Sequence, residues 1–400
     1  MVPITLEPPR SNLGPLAWVQ QNLLSTWQTT LLTVLSIAVL YFALRGVLTW
    51  LFFNADWSPV TSNLKLYLVG QYPAEEMWRV GVGVTSISLL AGLSWGVWGG
   101  VARTMALAIA IGMGVLAFAP LGLDALSIEA RVWILANPAS IVAGYLVGRS
   151  GIARPRWLII AWAISYFLGV ALLRGFEAVP GLPVVGTGQW GGLLLTFLLS
   201  TVGIVSSFPL GVALALGRRS NLPVVNLFSV MFIEGVRGVP LITLLFMTQI
   251  ILPLFLPEEL RVDRALRAFM AITLFSAAYT AENVRGGLQA VPLGQIEAAK
   301  ALGLSGWHIM LYIVLPQALR AVIPAIVGQF ISLFKDTSLV VIVGLLDIVG
   351  IGRSIVLGNV KWVGSQREVY VFIGAVYWVF TYSMSYASRR LEAALGVGKR

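Results

Sequence analysis

The chain has no cysteine and only one histidine, His308, in 400 residues. Disulfides, thiol nucleophiles and cysteine metal sites are excluded, and one imidazole leaves little scope for histidine catalysis. No Gly-x-x-x-x-Gly-Lys-Ser/Thr run occurs, so the chain lacks the loop that cradles nucleotide phosphates. No catalytic residue and no metal ligand is expected. Charge is also scarce. Charged side chains make up 11% of the residues and hydrophobic ones 58%, against about 25% charged in ordinary soluble domains.

What the chain does have is a series of apolar runs, at 28–52, 80–100, 104–121, 132–148, 157–173, 191–216, 226–252, 266–284, 322–348 and 369–388. Each run can cross a hydrocarbon core of about 30 Å as a helix. The runs are continuous and do not alternate, which points to helices and away from a barrel. The expected fold is an all-α integral membrane protein with about ten transmembrane helices. The N-terminal run is too long for a signal-peptide core and reads as a retained first span.

Ten spans put both termini on one side. That side receives Arg10, Arg103, Arg149, Arg154, Arg156, Arg218, Arg219, the segment 286–321 and the tail with Arg389, Arg390, Lys399 and Arg400. It collects roughly fourteen basic residues against about four acids, while the other side, with Glu75, Glu76, Glu258, Glu259 and Asp263, is nearly balanced. The net charge of +10 therefore reads as the positive-inside bias of a cytoplasmic face, with no nucleic-acid partner implied.

The chain divides near residue 189, after a Gly- and Pro-rich linker at 174–190 on the outer face. Residues 1–189 form an accessory membrane region of about five spans, with Arg45 as the one intramembrane charge. Its Gly92, Trp95, Gly96, Trp98, Gly99 and Gly100 suit close helix packing. Residues 190–390 form a second membrane domain, and 391–400 a basic cytoplasmic tail.

The second domain carries a mildly polar cytoplasmic insertion. Ala-rich sequence from Leu293 to Leu302 favours a helix with Pro292 at its start. Gly303 falls where a left-handed residue would end that helix, and Ser305 can cap the next one from Gly306 or Trp307. The prediction is helix, tight turn, helix. A surface helix lying on lipid headgroups would explain the composition, but not the fixed Ile-x-Leu-Pro that follows.

The order Glu297-Ala298-Ala299, three residues, Gly303, nine residues, Ile313-x-Leu315-Pro316 resembles the signature loop of bacterial ABC importer permeases. The flanks, Ala278 to Gly287, Gln317 to Arg320, Lys335-Asp336-Thr337-Ser338-Leu339 and Glu234 to Leu241, extend the likeness toward the branch that imports histidine and other polar amino acids. The longer architecture resembles a permease of the broad-specificity L-amino-acid importers. Gly235 and Val239 depart mildly from the family pattern and bear on pocket shape.

The resemblance implies a type I importer permease core in the last five spans, with Glu297, Ala298, Ala299, Gly303, Ile313, Leu315 and Pro316 forming an ATPase-coupling element. It implies two ATPase subunits that hold ATP and Mg, no cofactor on this chain, and a second homologous permease in a heterodimer. An extracytoplasmic amino-acid-binding protein and a bacterial cytoplasmic membrane complete the setting.

Charges near the bilayer centre need partners or a wet cavity. Glu234 with Arg237 and Glu282 with Arg285 are each three residues apart and can satisfy one another. Lys335 and Asp336 are adjacent, point about 100° apart and must look elsewhere. An amino-acid zwitterion needs one cation and one anion, which makes Arg237, Lys335 and Asp336, with Thr337, the candidate lining of a translocation path. Gly238 and Pro240 interrupt the 226–252 run, either as a kink or to expose backbone to a cavity. Two rival classes are a stand-alone ion-coupled secondary amino-acid carrier, which predicts an inverted repeat, and a lipid-acting membrane enzyme, which predicts clustered acids and histidines. Neither explains 297–316.

Overall fold

The computed structural model describes residues 14–118, 127–257 and 262–396. Arg10, Glu258, Glu259, Lys399, Arg400 and the last residues of the run predicted at 104–121 lie outside them. The chain divides into two compact units, Met1–Asp56 and Trp57–Arg400. The first holds α1 (Pro15–Asn22) and α2 (Trp27–Thr49), the latter closing in a π-helical turn at Trp50–Asn54. α2 starts with a reciprocal cap. The Thr29 N–H donates to the Thr26 hydroxyl oxygen and the Thr26 N–H to that of Thr29, at 3.2 and 2.9 Å, so two end donors are satisfied.

The second unit opens with two short helices, α3 (Ser58–Thr61) and α4 (Leu64–Val69). Four long ones follow: α5 (Met77–Trp98), α6 (Gly100–Phe118), α7 (Ile128–Arg149) and α8 (Pro155–Arg174). Next come α9 (Gly192–Gly217), α10 (Pro223–Arg237), α11 (Leu241–Phe246), α12 (Leu252–Phe255) and α13 (Arg264–Ala290). The chain continues as α14 (Leu293–Ala301), α15 (Gly306–His308), α16 (Leu315–Asp336), α17 (Ile348–Gly358) and α18 (Gln366–Leu395). No strand occurs among the described residues. Two isolated bridges, Gly70 with Trp190 and Gly192 with Asp347, are the extended pairings.

Among the described residues eight helices are long and apolar enough to cross a membrane, and a ninth span arises if α10 and the helix after it count as one, bent by 105°. The break falls at Gly238–Pro240, where the sequence placed an interruption. The remaining run, 266–284, lies within α13, which is long enough but bears Arg264, Arg267, Glu282 and Arg285. It packs between α9 and α16, with Ile272, Ala277, Ala281 and Val284 fully buried. A helix sheathed by protein needs less apolar surface than one facing lipid. The run at 322–348 also differs: its helix begins at Leu315, then tightens at Asp336 into a 3-10 turn, Thr337–Val343, which Gly344 ends at φ 81°.

Small residues set the closest helix contacts. A Cβ on Gly96 of α5 would lie 2.6 Å from the Tyr145 carbonyl of α7, and one on Gly203 of α9 would lie 2.6 Å from Ile272 of α13. These backbones approach as tightly as small-residue packing permits, in line with the reading of Gly92 and Gly96.

A charge besides Arg45 lies within the long helices of the first half. α5 begins three residues before the predicted 80, which brings Arg79 inside the helix. Arg79 is fully buried, pairs with Glu76 at 2.8 Å and donates to the Pro183 carbonyl at 2.9 Å. Tyr72 donates to the Leu173 carbonyl at 2.8 Å beside it. The 174–190 linker is thus clamped onto the start of α5.

The segment between the first span and α5 reaches into the second half of the chain. Val60 and Tyr67 share one apolar cluster with Ile348, Ile351, Ile355 and Val356 of α17 and Val369 and Ile373 of α18. Val69, Tyr72, Leu173 and Val185 share another with Leu195, Leu199, Leu241 and Ile272. Residues on both sides of position 189 therefore build common cores.

Candidate coupling surface and polar path

α14 ends by a local device. Leu304 N–H donates to the Ala299 carbonyl and Gly303 N–H to that of Lys300, at 3.2 and 2.9 Å, with Gly303 at φ 77°. This pair of bonds around a left-handed glycine is a Schellman stop. α15 then starts at Gly306, as expected. The Ser305 hydroxyl does not cap it, however, but meets His308 Nδ1 at 2.6 Å. From α15 the chain continues through a π-helical stretch, Ile309–Val314, directly into α16.

The seven signature residues divide by exposure. Glu297, Ala298, Gly303 and Pro316 are exposed, Ile313 and Leu315 are half-buried, and Ala299 is buried. Ala299 packs in a cluster with Ile309, Val314 and Ala318, so it joins the element to α16 and does not face outward beside Ala298. Glu297 has no ion-pair partner among the described residues. Around it Leu293, Leu302, Trp307 and Tyr312 are 74%, 81%, 66% and 65% exposed, which leaves apolar surface on both sides of the Gly303 turn.

Next to this element the two predicted charge pairs merge into one network. Arg218, at the end of α9, lies 2.7 Å from Glu234 and 3.7 Å from Glu282. Arg237 lies 4.0 Å from Glu234 and 3.5 Å from Glu282, and Arg285 pairs with Glu282. Three guanidinium groups therefore converge on Glu282, tying α9, α10 and α13 together. Arg219 adds a bond to the Leu288 carbonyl at 3.3 Å. The sequence places Arg218 on the basic face but not in this network, because its partners lie on other helices.

A polar seam that the sequence reading missed runs between α13 and α16. Gln329 Nε2 donates to the Ser276 carbonyl at 2.8 Å and to the Thr280 hydroxyl at 3.1 Å, and Asn283 Nδ2 donates to Gln329 Oε1 at 2.7 Å. The signal was the spacing of Ser276, Thr280 and Asn283 along one face of α13.

The four path residues do not form one constellation. Arg237 belongs to the charge network, and Lys335 and Asp336 close α16 farther along. From Gln329, which meets Asn283 beside Glu282, to Asp336 is about 10 Å of helix rise. Lys335 is exposed and Asp336 half-buried, while Thr337 is fully buried and donates to the Phe334 carbonyl at 2.8 Å. No group of three or more metal-ligating side chains occurs among the described residues.

The fold is that of a many-span helical membrane protein with a helix–turn–helix element, Leu293–His308, leading into α16. Residues 207–397 match the family described as the binding-protein-dependent transport system inner membrane component. The inner membrane amino-acid ABC transporter permease protein YhdY of Escherichia coli (strain K12) is 37% identical over 96% of this chain and 94% of its own length. The glutamate/glutamine/aspartate/asparagine transport system permease protein BztC of Rhodobacter capsulatus is 36% identical over 97% and 95%. The probable glutamine ABC transporter permease protein GlnP of Bacillus subtilis is 34% identical over 51% of this chain and 91% of its own. The chain belongs to this family of ABC importer permeases, as a multi-pass inner-membrane subunit and not an enzyme, with ATP hydrolysis on separate ATPase subunits. The secondary-carrier reading is set aside. The two full-length relatives align over nearly the whole chain, accessory spans included.

Proposed function

We propose that this chain translocates L-amino acids, polar ones above all, as one permease of a heterodimer served by two ATPase subunits and an extracytoplasmic binding protein. ATP and Mg belong to the ATPases. Both termini and the 293–316 element face the cytoplasm, in keeping with the distribution of Lys and Arg. The printed names of the three relatives, all amino-acid permeases, support the substrate class.

The observation that carries the reading is the unbroken helical path from α15 through Ile309–Val314 into α16, with Ala299 buried at its root. Glu297, Ala298 and the exposed Leu302 and Trp307 offer a partner both a charge and apolar contact. When the ATPase dimer closes, the element moves as a rigid lever and α16 moves with it. The α13–α16 seam at Gln329 is where such motion changes helix contacts, which is alternating access driven from outside the chain. Ile313, Leu315 and Pro316 form the elbow. Lys335 and Asp336 line the path beyond the seam; Arg237 and Thr337 hold helices.

The test is co-purification in mild detergent with an ATPase assay. Recovery of an ATPase and a second permease is expected, both lost in Gly303→Val, because a β-branched residue is strongly disfavoured at positive φ. A chain that purifies alone and moves amino acids without ATP would refute the reading.

A further inference from the structure

We propose that the groove between the 3-10 turn Thr337–Val343 and α17 is a carboxylate-binding station for the transported amino acid, with Arg353 as its cation. This rests on the amino-acid reading above. The groove is open, of about 450 Å³, and is lined by Val341, Leu346, Gly350, Arg353, Ser354 and Leu357 among others. That volume lies in the range of small-ligand sites.

Its position continues the path. The 3-10 turn starts directly after Lys335 and Asp336, and Val341 lies about 10 Å beyond Asp336 at about 2 Å per residue. The groove is thus at the end of α16 remote from the coupling element, where substrate from the binding protein would enter.

Arg353 is the one charged residue in the lining. It is exposed, and it has no ion pair or hydrogen bond among the described residues. Its helix carries no other charge and buries Ile348, Ile351, Ile355 and Val356. An unpaired guanidinium on an apolar helix of a membrane protein needs water or a ligand. The planar fork matches a carboxylate through two parallel bonds, and Ser354 is part of the same lining. Gly350 and Gly358 on the same face keep side chains out of the groove.

The helix that carries the cation is anchored at both ends of its first turns. Asp347 caps α17 by accepting the Gly350 N–H at 2.9 Å, and Gly352 lies against Val369 and Ile373 of α18. A carboxylate on the binding protein is the rival partner for the same group. The concave lining, larger than an amino acid, favours the small molecule.

The test uses the assembled complex in liposomes with its binding protein and the L-amino acid that the wild type imports fastest. Arg353→Gln should lower uptake per ATP hydrolysed about tenfold or more, the scale of a lost charge-assisted hydrogen bond, with Arg353→Lys intermediate. The binding-protein concentration for half-maximal ATPase stimulation should move less than about twofold. A tenfold rise in that concentration would assign Arg353 to the binding protein, and unchanged uptake in Arg353→Gln would remove the groove from the path; either result overturns the proposal. A wild type that imports no amino acid at all would defeat the functional reading itself, which is a separate outcome.

Discussion

Gly70, just after α4, and Gly191, just before α9, meet so closely that a Cβ on Gly70 would lie 2.6 Å from the Gly191 backbone nitrogen. Gly70 also sits at φ 66°, a conformation that side chains rarely adopt. The contact joins the accessory region to the permease core at the remote end, beside the bond from Gly192 N–H to the Leu346 carbonyl at 2.8 Å. Gly70→Ala combines strain with overlap and should destabilise by about 1–3 kcal/mol. Thermal unfolding in detergent checks this against Gly235→Ala, where a Cβ meets nothing within 4 Å and a neutral or slightly stabilising effect is expected.

Glu282 is the hub of the charge network, and Glu234 is more peripheral and 53% exposed. Glu282→Gln leaves three guanidinium groups facing one another and should lower the melting temperature clearly more than Glu234→Gln, whose pairs are screened by solvent. Equal shifts for the two variants would mean that the network is not centred on Glu282.

Gln329 saturates Ser276, Thr280 and Asn283 across the α13–α16 seam. Gln329→Leu keeps the bulk but orphans those groups, which costs about 1–3 kcal/mol for each that stays buried and unpaired. If the seam slides during transport, uptake should fall further than stability does. Uptake rate and melting temperature measured on the same preparation separate the two.

How much of this was readable in advance follows the range of the interactions. Pro292, Gly303 and Gly306 announced the helix–turn–helix because helix ends are set by backbone chemistry within a few residues. Gly238 and Pro240 announced the bend before Leu241 for the same reason. The Ser305 cap failed because His308, three residues on, competes for the hydroxyl. Arg79 carried a local signal, Glu76 three residues earlier, but the burial of that pair depends on Pro183, and nothing near Glu76 reveals it. The α3–α4 segment was illegible as core: its helices are short, and their partners on α17 and α18 lie roughly three hundred residues away. The joining of Arg218 to Glu282 was equally hidden, since spacing reports contacts within a helix but not between helices.

Asp347 lies past the end of the span at Gly306–Val343 and is fully buried. Burial raises its carboxyl to about 7, opposed by backbone N–H bonds from Gly350 and Val349 that favour the ionised form. The folded value is above the unfolded one, so its stabilising contribution is complete below the unfolded pKa and is lost as pH rises through about 7. The melting temperature should therefore rise from about pH 8 to about pH 6, and Asp347→Asn should flatten that slope. A slope that persists in the asparagine variant would assign it to another group.

Tyr67 tests whether the accessory half is part of the permease core. Its side chain is 1% exposed and packs edge-on against Phe372 at 5.1 Å, beneath α17. Removing a ring from such a site costs about 3–5 kcal/mol, as in any well-packed interior. Tyr67→Ala, far from the matched family region in sequence, should therefore unfold α17 and its groove about as severely as Ile351→Ala, which lies in the permease core itself. Tyr67→Phe keeps the ring and should hold stability within about 1.5 kcal/mol. Protease protection around Arg353 reports on α17, and that around Arg367 on the start of α18. Loss of protection in Tyr67→Ala but not in Tyr67→Phe is the expected pattern, and it follows because α17 is packed against Val60 and Tyr67. Full protection in both variants would show that α17 holds its place without them, and the accessory spans would then need a different role.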